Sequence, residues 1–167
     1  MNKKVERNYL EITSIKDFRD SSYDSEAYSV QIVAPVDFQL NKFFYKNIGK
    51  NHKWVDRLVW TEKIWIEYVS DEKVQTYVLK VNKDLAGYFE LILHSELNEV
   101  EIAYLGLLSE YQNKKLGSYI LSAAIKYSFL NKPKRVWVHT CSLDHKNALN
   151  NYISRGMKIF KTETVLL

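Results

Sequence analysis

Several side chains of this sequence stand at spacings that chemistry can use. The stretch Gln112-Asn113-Lys114-Lys115-Leu116-Gly117-Ser118 reads as a short loop running into a helix, with a glycine in the helix's first turn. A helix start leaves backbone N–H groups without partners, and those donors together with the helix dipole attract phosphate. The dipole alone contributes only about 0.3–1 kcal/mol at an exposed end, so the positive charge of Lys114 and Lys115 and several converging hydrogen bonds must do the rest. Glu101, eleven residues before Gln112, and Glu90 on the preceding strand are carboxylates that can take a proton. Alternation puts Glu101 on one strand face with Ala103 and Leu105, an apolar setting that raises a carboxyl pKa. His139 and Cys141 lie two apart on a strand and face the same way, as a base and a thiol nucleophile would. With His145 they make three metal-ligating side chains without a clear fourth, so no metal is expected. Trp54, Asp56, Arg57, Trp60, Glu62 and Trp65 fall together within Asn51–Glu67. Aromatic rings with carboxylates hold ammonium groups, which marks Trp54 and Asp56 as an amine pocket. Each feature also has a plain structural reading: an exposed turn with solvated lysines, a solvent-facing strand glutamate, tryptophans of the core.

The elements that must position these groups follow from periodicity and turn chemistry. Short β-favouring segments at Tyr9–Thr13 and Tyr28–Ala34 flank the polar Arg19–Glu26 stretch. Pro35 is placed to open a helix over Val36–Ile48, with Leu40, Phe43, Phe44 and Ile48 as its apolar positions and Gly49 as its end. Thr61 is an N-cap for a second helix reaching about Val69. Strands are expected at Gln75–Val81, Leu85–Leu93 and Glu99–Leu108, joined by polar turns, which makes a β-meander. A helix over Leu116–Leu130 buries Leu116, Ile120, Leu121, Ala124 and Ile125. Pro133 precedes a strand at Arg135–Cys141, Asp144 caps a helix that Gly156 ends, and a last strand covers Met157–Thr164.

Composition sets the frame. The chain has 167 residues, 46% hydrophobic and 26% charged, which suits one globular domain and no disordered tail. Apolar runs fall far short of the roughly 20 residues that span a bilayer, and no apolar segment follows Met1, so a soluble cytoplasmic protein is expected. The single cysteine, Cys141, excludes an internal disulfide and fits a reducing compartment. The net charge is +4, yet Lys and Arg are interleaved with twenty acidic residues along the whole chain. A nucleic-acid binder concentrates them on one face, so an anionic small molecule explains the excess better.

The loop resembles motif A of the GNAT superfamily of N-acetyltransferases, Gln/Arg-x-x-Gly-x-Gly/Ala, matched here by Gln112-Asn113-Lys114-Lys115-Leu116-Gly117 with Lys115 in place of the first glycine. Downstream, Ala148, Tyr152 and Gly156 fall at the spacing of the superfamily's closing element, with His145 at its asparagine position and Met157 at its final phenylalanine. The Trp137–Cys141 strand followed by Leu143-Asp144-His145 resembles a bacterial subgroup apart from the best-studied branches. The resemblance covers about residues 75–163. It implies an α/β (α+β) single domain over residues 1–167, with a mixed, mostly antiparallel twisted sheet flanked by helices and a splayed pair of central strands. Residues 75–163 would form the acyl-CoA-binding core and residues 1–74 the acceptor side.

The implied activity is transfer of acetyl from acetyl-CoA, a co-substrate, to a primary amine on a small molecule or a protein, by a monomer or homodimer. The implied cofactor contacts are Leu107, Leu108, Gln112, Asn113, Lys114, Lys115, Leu116, Gly117, Ser118, His145 and Ala148. A bulge near Leu105–Leu107, with Gly106 within it, would free backbone amides for the pantetheine arm and leave the Leu107 N–H to meet the thioester oxygen. An amine with a pKa near 10.4 needs a base, for which Glu101 has the superfamily's offset and Glu90 is the alternative. Tyr152 would protonate the departing sulfur. Trp54, Asp56 and His139 are candidates for holding the acceptor. Two other readings stay open: a catalytically silent acetyl-CoA sensor, and acyl transfer through Cys141 with His139 as base.

Overall fold

The computed structural model describes residues 2–112 and 115–167. Its elements, in chain order, are β1 (Lys4–Ile12), β2 (Tyr28–Ile32), α1 (Phe38–Gly49), α2 (Glu62–Ser70), β3 (Val74–Val81), β4 (Asp84–His94), β5 (Glu99–Leu107), α3 (Leu116–Phe129), β6 (Arg135–Cys141), α4 (Ala148–Ser154) and β7 (Lys158–Leu166). The strands form one sheet in the order β2-β3-β4-β5-β6-β1-β7. Every neighbouring pair is antiparallel except β5 and β6, which are parallel. The result is a single α+β domain.

Two apolar layers hold helices to the sheet. On one face α3 buries Leu116, Ile120, Leu121, Ala124 and Ile125 against Phe89, Leu91, Val100, Ile102, Val136 and Val138. Each such side chain contributes about 1.5–3 kcal/mol when fully removed from water. On the other face α1 sets Phe44 and Ile48 on Val78 and Tyr88, with the Phe44 and Tyr88 rings stacked at 4.8 Å. Gly106 belongs to this second contact. A Cβ on it would lie 2.6 Å from Ile48 Cγ2, so the glycine admits α1.

Helix starts differ from expectation in two places. The α1 cap is Asp37, whose carboxylate accepts from the Gln39 N–H at 3.0 Å, and Pro35 lies outside the helix. Asp144 does not cap α4, which begins only at Ala148. Its carboxylate accepts instead from Thr140 Oγ1 at 2.5 Å and from the Cys141 N–H at 2.9 Å, closing the turn after β6. Thr61 does cap α2, accepting from the Ile64 N–H, and Gly156 ends α4 at φ +102°.

The sheet carries one irregularity that governs everything below. Glu90 faces Tyr104 across the β4–β5 ladder, but Leu91 faces Ile102, so Ala103 is an extra residue on β5. A bulge of this kind shifts the side-chain phase of the strand by one residue. Val100 and Ile102 point to α3 before it, Leu105 and Leu107 after it. Glu101 therefore shares its face with Tyr104 and Gly106, not with Ala103 and Leu105. The bulge also lies two residues upstream of Leu105–Leu107.

Candidate active site

β5 and β6 are paired only over Glu99–Arg135, Val100–Val136 and Glu101–Trp137, and then part. The wedge between them opens into a cleft of about 1310 Å³ that passes from the α3 N-terminus to the opposite sheet face. Leu108 donates its N–H to the Ala86 carbonyl at 2.8 Å. Successive residues of a strand point their amides to opposite sides, so the Leu107 N–H is turned away from β4 and into the wedge. Leu107 therefore offers a donor there. Leu108 does not: its N–H is bonded to Ala86 and its carbonyl accepts from the Tyr111 N–H at 2.9 Å. That removes the Leu108 backbone from the cofactor contacts expected of it.

One end of the cleft is built around the start of α3. Lys115 is the residue before the helix and takes the left-handed conformation, φ 62° and ψ 9°, where a glycine would sit without strain. Its carbonyl accepts from Ser118 Oγ at 3.0 Å, and its ammonium lies 5.2 Å from the Tyr23 ring. Gln112 folds back so that its Nε2 donates to the Leu107 carbonyl at 3.4 Å. Gln112, Lys115, Gly117 and Ser118 line the cleft, whereas Leu116 is turned inward and buried under the sheet. Asn113 and Lys114 lie outside the described residues. From α4, Ala148 and Tyr152 reach the wall, preceded by His145, whose Nδ1 accepts from the Asn147 N–H at 3.1 Å.

Two contributors to this end escaped the sequence reading. Asn151 ties the helices together, its Nδ2 donating to the Gly117 carbonyl at 3.0 Å. The segment around Ser21 is strapped to α3 through Ser118 Oγ and Ser122 Oγ at 3.1 and 3.0 Å, which brings Tyr23 to the cleft. Asn151 stands one helical turn from Asn147 and Ala148 and carries a readable amide. The Ser21 segment gave no periodic signal at all.

At the other end Glu101 lies at the apex of the wedge, where it lines the cleft and its Oε1 is 2.9 Å from Nε2 of His94. His139 projects from β6 on the same face, exposed to the cleft and packed 5.6 Å from the Tyr9 ring. Desolvation by the walls, reinforced by Arg7, lowers the His139 pKa, against opposing pulls from Glu101, Asp144 and Asp56. Cys141 lines the cleft as well, but among the described residues no hydrogen bond joins it to His139. Tyr152 is 8% exposed, and burial pushes its phenol far above its ordinary value, so it stays protonated.

Glu90 is placed elsewhere. It is fully buried, its oxygens accepting from Arg57 Nη1 at 2.9 and 3.1 Å, Tyr68 Oη at 2.6 Å and Asn41 Nδ2 at 3.2 Å. A carboxylate so enclosed has no path to an acceptor amine, which corrects its candidacy as a base. The aromatic cluster is also put to another use. Arg57 sits among Tyr45, Trp60, Trp65, Tyr68 and Tyr104 at 4.2–5.7 Å from their ring centres. The cage therefore holds the protein's own cation. Trp54, packed on Tyr104 at 4.8 Å, and the exposed Asp56 do line the cleft.

Residues 39–157 match the model of the acetyltransferase (GNAT) family; the chain belongs to that family. Solved structures agree in fold. A GCN5-related N-acetyltransferase from Sphaerobacter thermophilus superposes with a TM-score of 0.74 at 12% identity, covering 99% of this chain and 51% of that one. The ribosomal-protein-S18-alanine N-acetyltransferase from Escherichia coli gives 0.60 at 16% identity, covering 77% and 76%. An aminoglycoside acetyltransferase from an uncultured soil metagenomic sample gives 0.63 at 14% identity, covering 77% and 87%. The chain thus spans about half the length of the Sphaerobacter protein. No functionally curated protein matches it in sequence. Among the described residues no helix is long and apolar enough to cross a membrane, and no group of three or more His, Cys, Asp or Glu side chains is arranged to hold a metal ion.

Proposed function

We propose that the protein transfers an acetyl group from acetyl-CoA to a primary amine by direct attack, with Glu101 as the base. The observation that carries this is the parting of β5 from β6 immediately after Glu101 and Trp137, which leaves a donor amide on Leu107 and a carboxylate at the apex of one continuous cleft. Acetyl-CoA supplies the activated thioester. Gln112, Lys115, Gly117 and Ser118, with the α3 N-terminus, suit its phosphates, and the open edge of β5 suits its amide-bearing arm. Glu101 takes a proton from the incoming ammonium, Leu107 N–H stabilises charge on the thioester oxygen, and Tyr152, protonated and facing the cleft, supplies a proton to sulfur. Trp54, Asp56 and His139 form the acceptor's surroundings. We read residues 75–163 as the cofactor-binding part and the α1–α2 region as the acceptor wall, although β1 belongs to the sheet beside β6.

Direct transfer is favoured over a Cys141 relay because, among the described residues, no hydrogen bond joins the thiol to a base. Two structural neighbours are named for amine acceptors, an aminoglycoside and a ribosomal-protein alanine, so both small-molecule and protein amines belong in a screen. Calorimetry with acetyl-CoA, followed by thiol release against an aminoglycoside, a polyamine and an alanine-led peptide, tests the reading. Saturable 1:1 binding and amine-dependent thiol release are expected. Absence of acetyl-CoA binding contradicts it, and binding without transfer to any amine favours a sensor.

A further inference from the structure

We propose that His94 is the group through which the proton collected by Glu101 leaves the site. This rests on the reading of Glu101 as base. Forming an amide from an ammonium ion and a thioester makes one N–C bond, breaks one C–S bond and removes two protons from nitrogen. One ends on the thiol; the other must reach solvent in every turnover. Glu101 is poorly placed to release it directly, since its side chain is only 16% exposed and faces the cleft that the acceptor fills.

His94 stands on the other side of that carboxylate. Its Nε2 is 2.9 Å from Glu101 Oε1, and at 35% exposure it is the wetter partner. The ring is held by more than this contact. It stacks nearly parallel on Trp137, 5.9 Å between centres and 20° between planes, and Trp137 is the strand partner of Glu101 in the last rung before the wedge opens. The Ala103 bulge lies just beyond, so Glu101 and His94 sit on regular, fully paired sheet. Once protonated, Glu101 donates to Nε2 of the Nδ1–H tautomer of His94; the proton moves to Nε2, the imidazolium loses its Nδ1 proton to water, and tautomer exchange through water restores the starting form. The surrounding charges are Glu99, opposite His94 on β5, Arg135 on β6, which binds Glu99 and Glu11, and His139 across the wedge.

The pair can be tested without an acceptor. In ¹⁵N NMR of the unliganded protein, the His94 Nε2 resonance should move in Glu101→Ala, which removes its hydrogen-bond partner; an unchanged resonance overturns the pairing. In thiol release with the first amine that the wild type accepts, His94→Gln should lower kcat by about ten- to a hundredfold, less than the 10²–10⁴-fold typical of losing a base outright. The acetyl-CoA KM should hold, and added imidazole should restore His94→Ala. An undiminished kcat, or a loss that imidazole does not rescue, overturns the relay. Full turnover in Glu101→Gln overturns instead the base assignment on which it rests.

Discussion

Removing the guanidinium of Arg57 should be among the most damaging single changes to this fold. Arg57 is 6% exposed and Glu90 is fully buried; they meet at 2.9 Å, under α1 and α2. Burial alone would lower the Arg57 pKa, but Glu90 more than reverses that, so the guanidinium stays charged. In Arg57→Ala the Glu90 carboxylate keeps Tyr68 and Asn41 but loses its counter-charge, and breaking one side of a buried pair costs about 3–5 kcal/mol. For a chain of this length each kcal/mol moves Tm by roughly 2–4 °C, so a fall of about 6–20 °C is expected. Urea denaturation followed by tryptophan fluorescence supplies the free energy. Arg57→Met combined with Glu90→Gln removes both charges while leaving hydrogen-bond partners for Tyr68 and Asn41, and should recover most of the loss. The substitution keeps the Arg57 backbone N–H, which donates to Tyr45 Oη at 3.0 Å, but removes the guanidinium from among the rings of Tyr45, Trp60 and Tyr104, so it should loosen the loop bearing Trp54 and Asp56 and raise the acceptor KM more than the acetyl-CoA KM. A cost below about 1 kcal/mol for Arg57→Ala would mean instead that water reaches Glu90 and that the pair does not hold α1 and α2 to the sheet.

Three further outcomes are expected. Lys115→Gly removes the left-handed cost of a residue with a Cβ, about 1–2 kcal/mol, offset by up to about 1 kcal/mol of unfolded-state freedom; thermal melts should show equal or higher stability. Gly156→Ala should destabilise by about 1–3 kcal/mol, measured by urea denaturation, because φ is +102° and a Cβ would lie 2.1 Å from the Asp17 carbonyl oxygen. His52 and His139 both have pKa values lowered by burial, below the ordinary 6.5. The unfolded chain therefore takes up protons first as pH drops, and stability present above pH 6.5 should be lost as pH falls through the folded values. The slope between pH 7.5 and 5.5 should flatten in His52→Gln/His139→Gln.

Much of this was legible in the sequence, and the failures have causes. The strand Arg135–Cys141 and the helix from Leu116 fall where their apolar periods put them, because α3 and β6 each press one face onto a single core. β1 begins at Lys4 rather than Tyr9; its place between β6 and β7 depends on pairing with residues far along the chain, from Ile12 with Val136 to Lys4 with Leu166, which local pattern does not encode. The loop proposed to hold the cofactor stands out in the sequence by its glycine and lysines. Spacing singles out Glu101, but alternation gives it the wrong face neighbours, since a one-residue bulge at Ala103 leaves no mark in composition. Glu90 looked like a free strand carboxylate because its partners, Arg57, Tyr68 and Asn41, come from three separate places in the chain. His94 and the Ser21 segment reach their positions through long-range placement alone, which no local pattern marks.

If one cleft binds acetyl-CoA and Glu101 acts there on the acceptor, Glu101→Gln, which keeps the side chain's shape and removes its charge, should separate binding from turnover in calorimetry and thiol release. Unchanged Kd with kcat reduced by about 10²–10⁴-fold is predicted; wild-type kcat, or loss of acetyl-CoA binding, would contradict it.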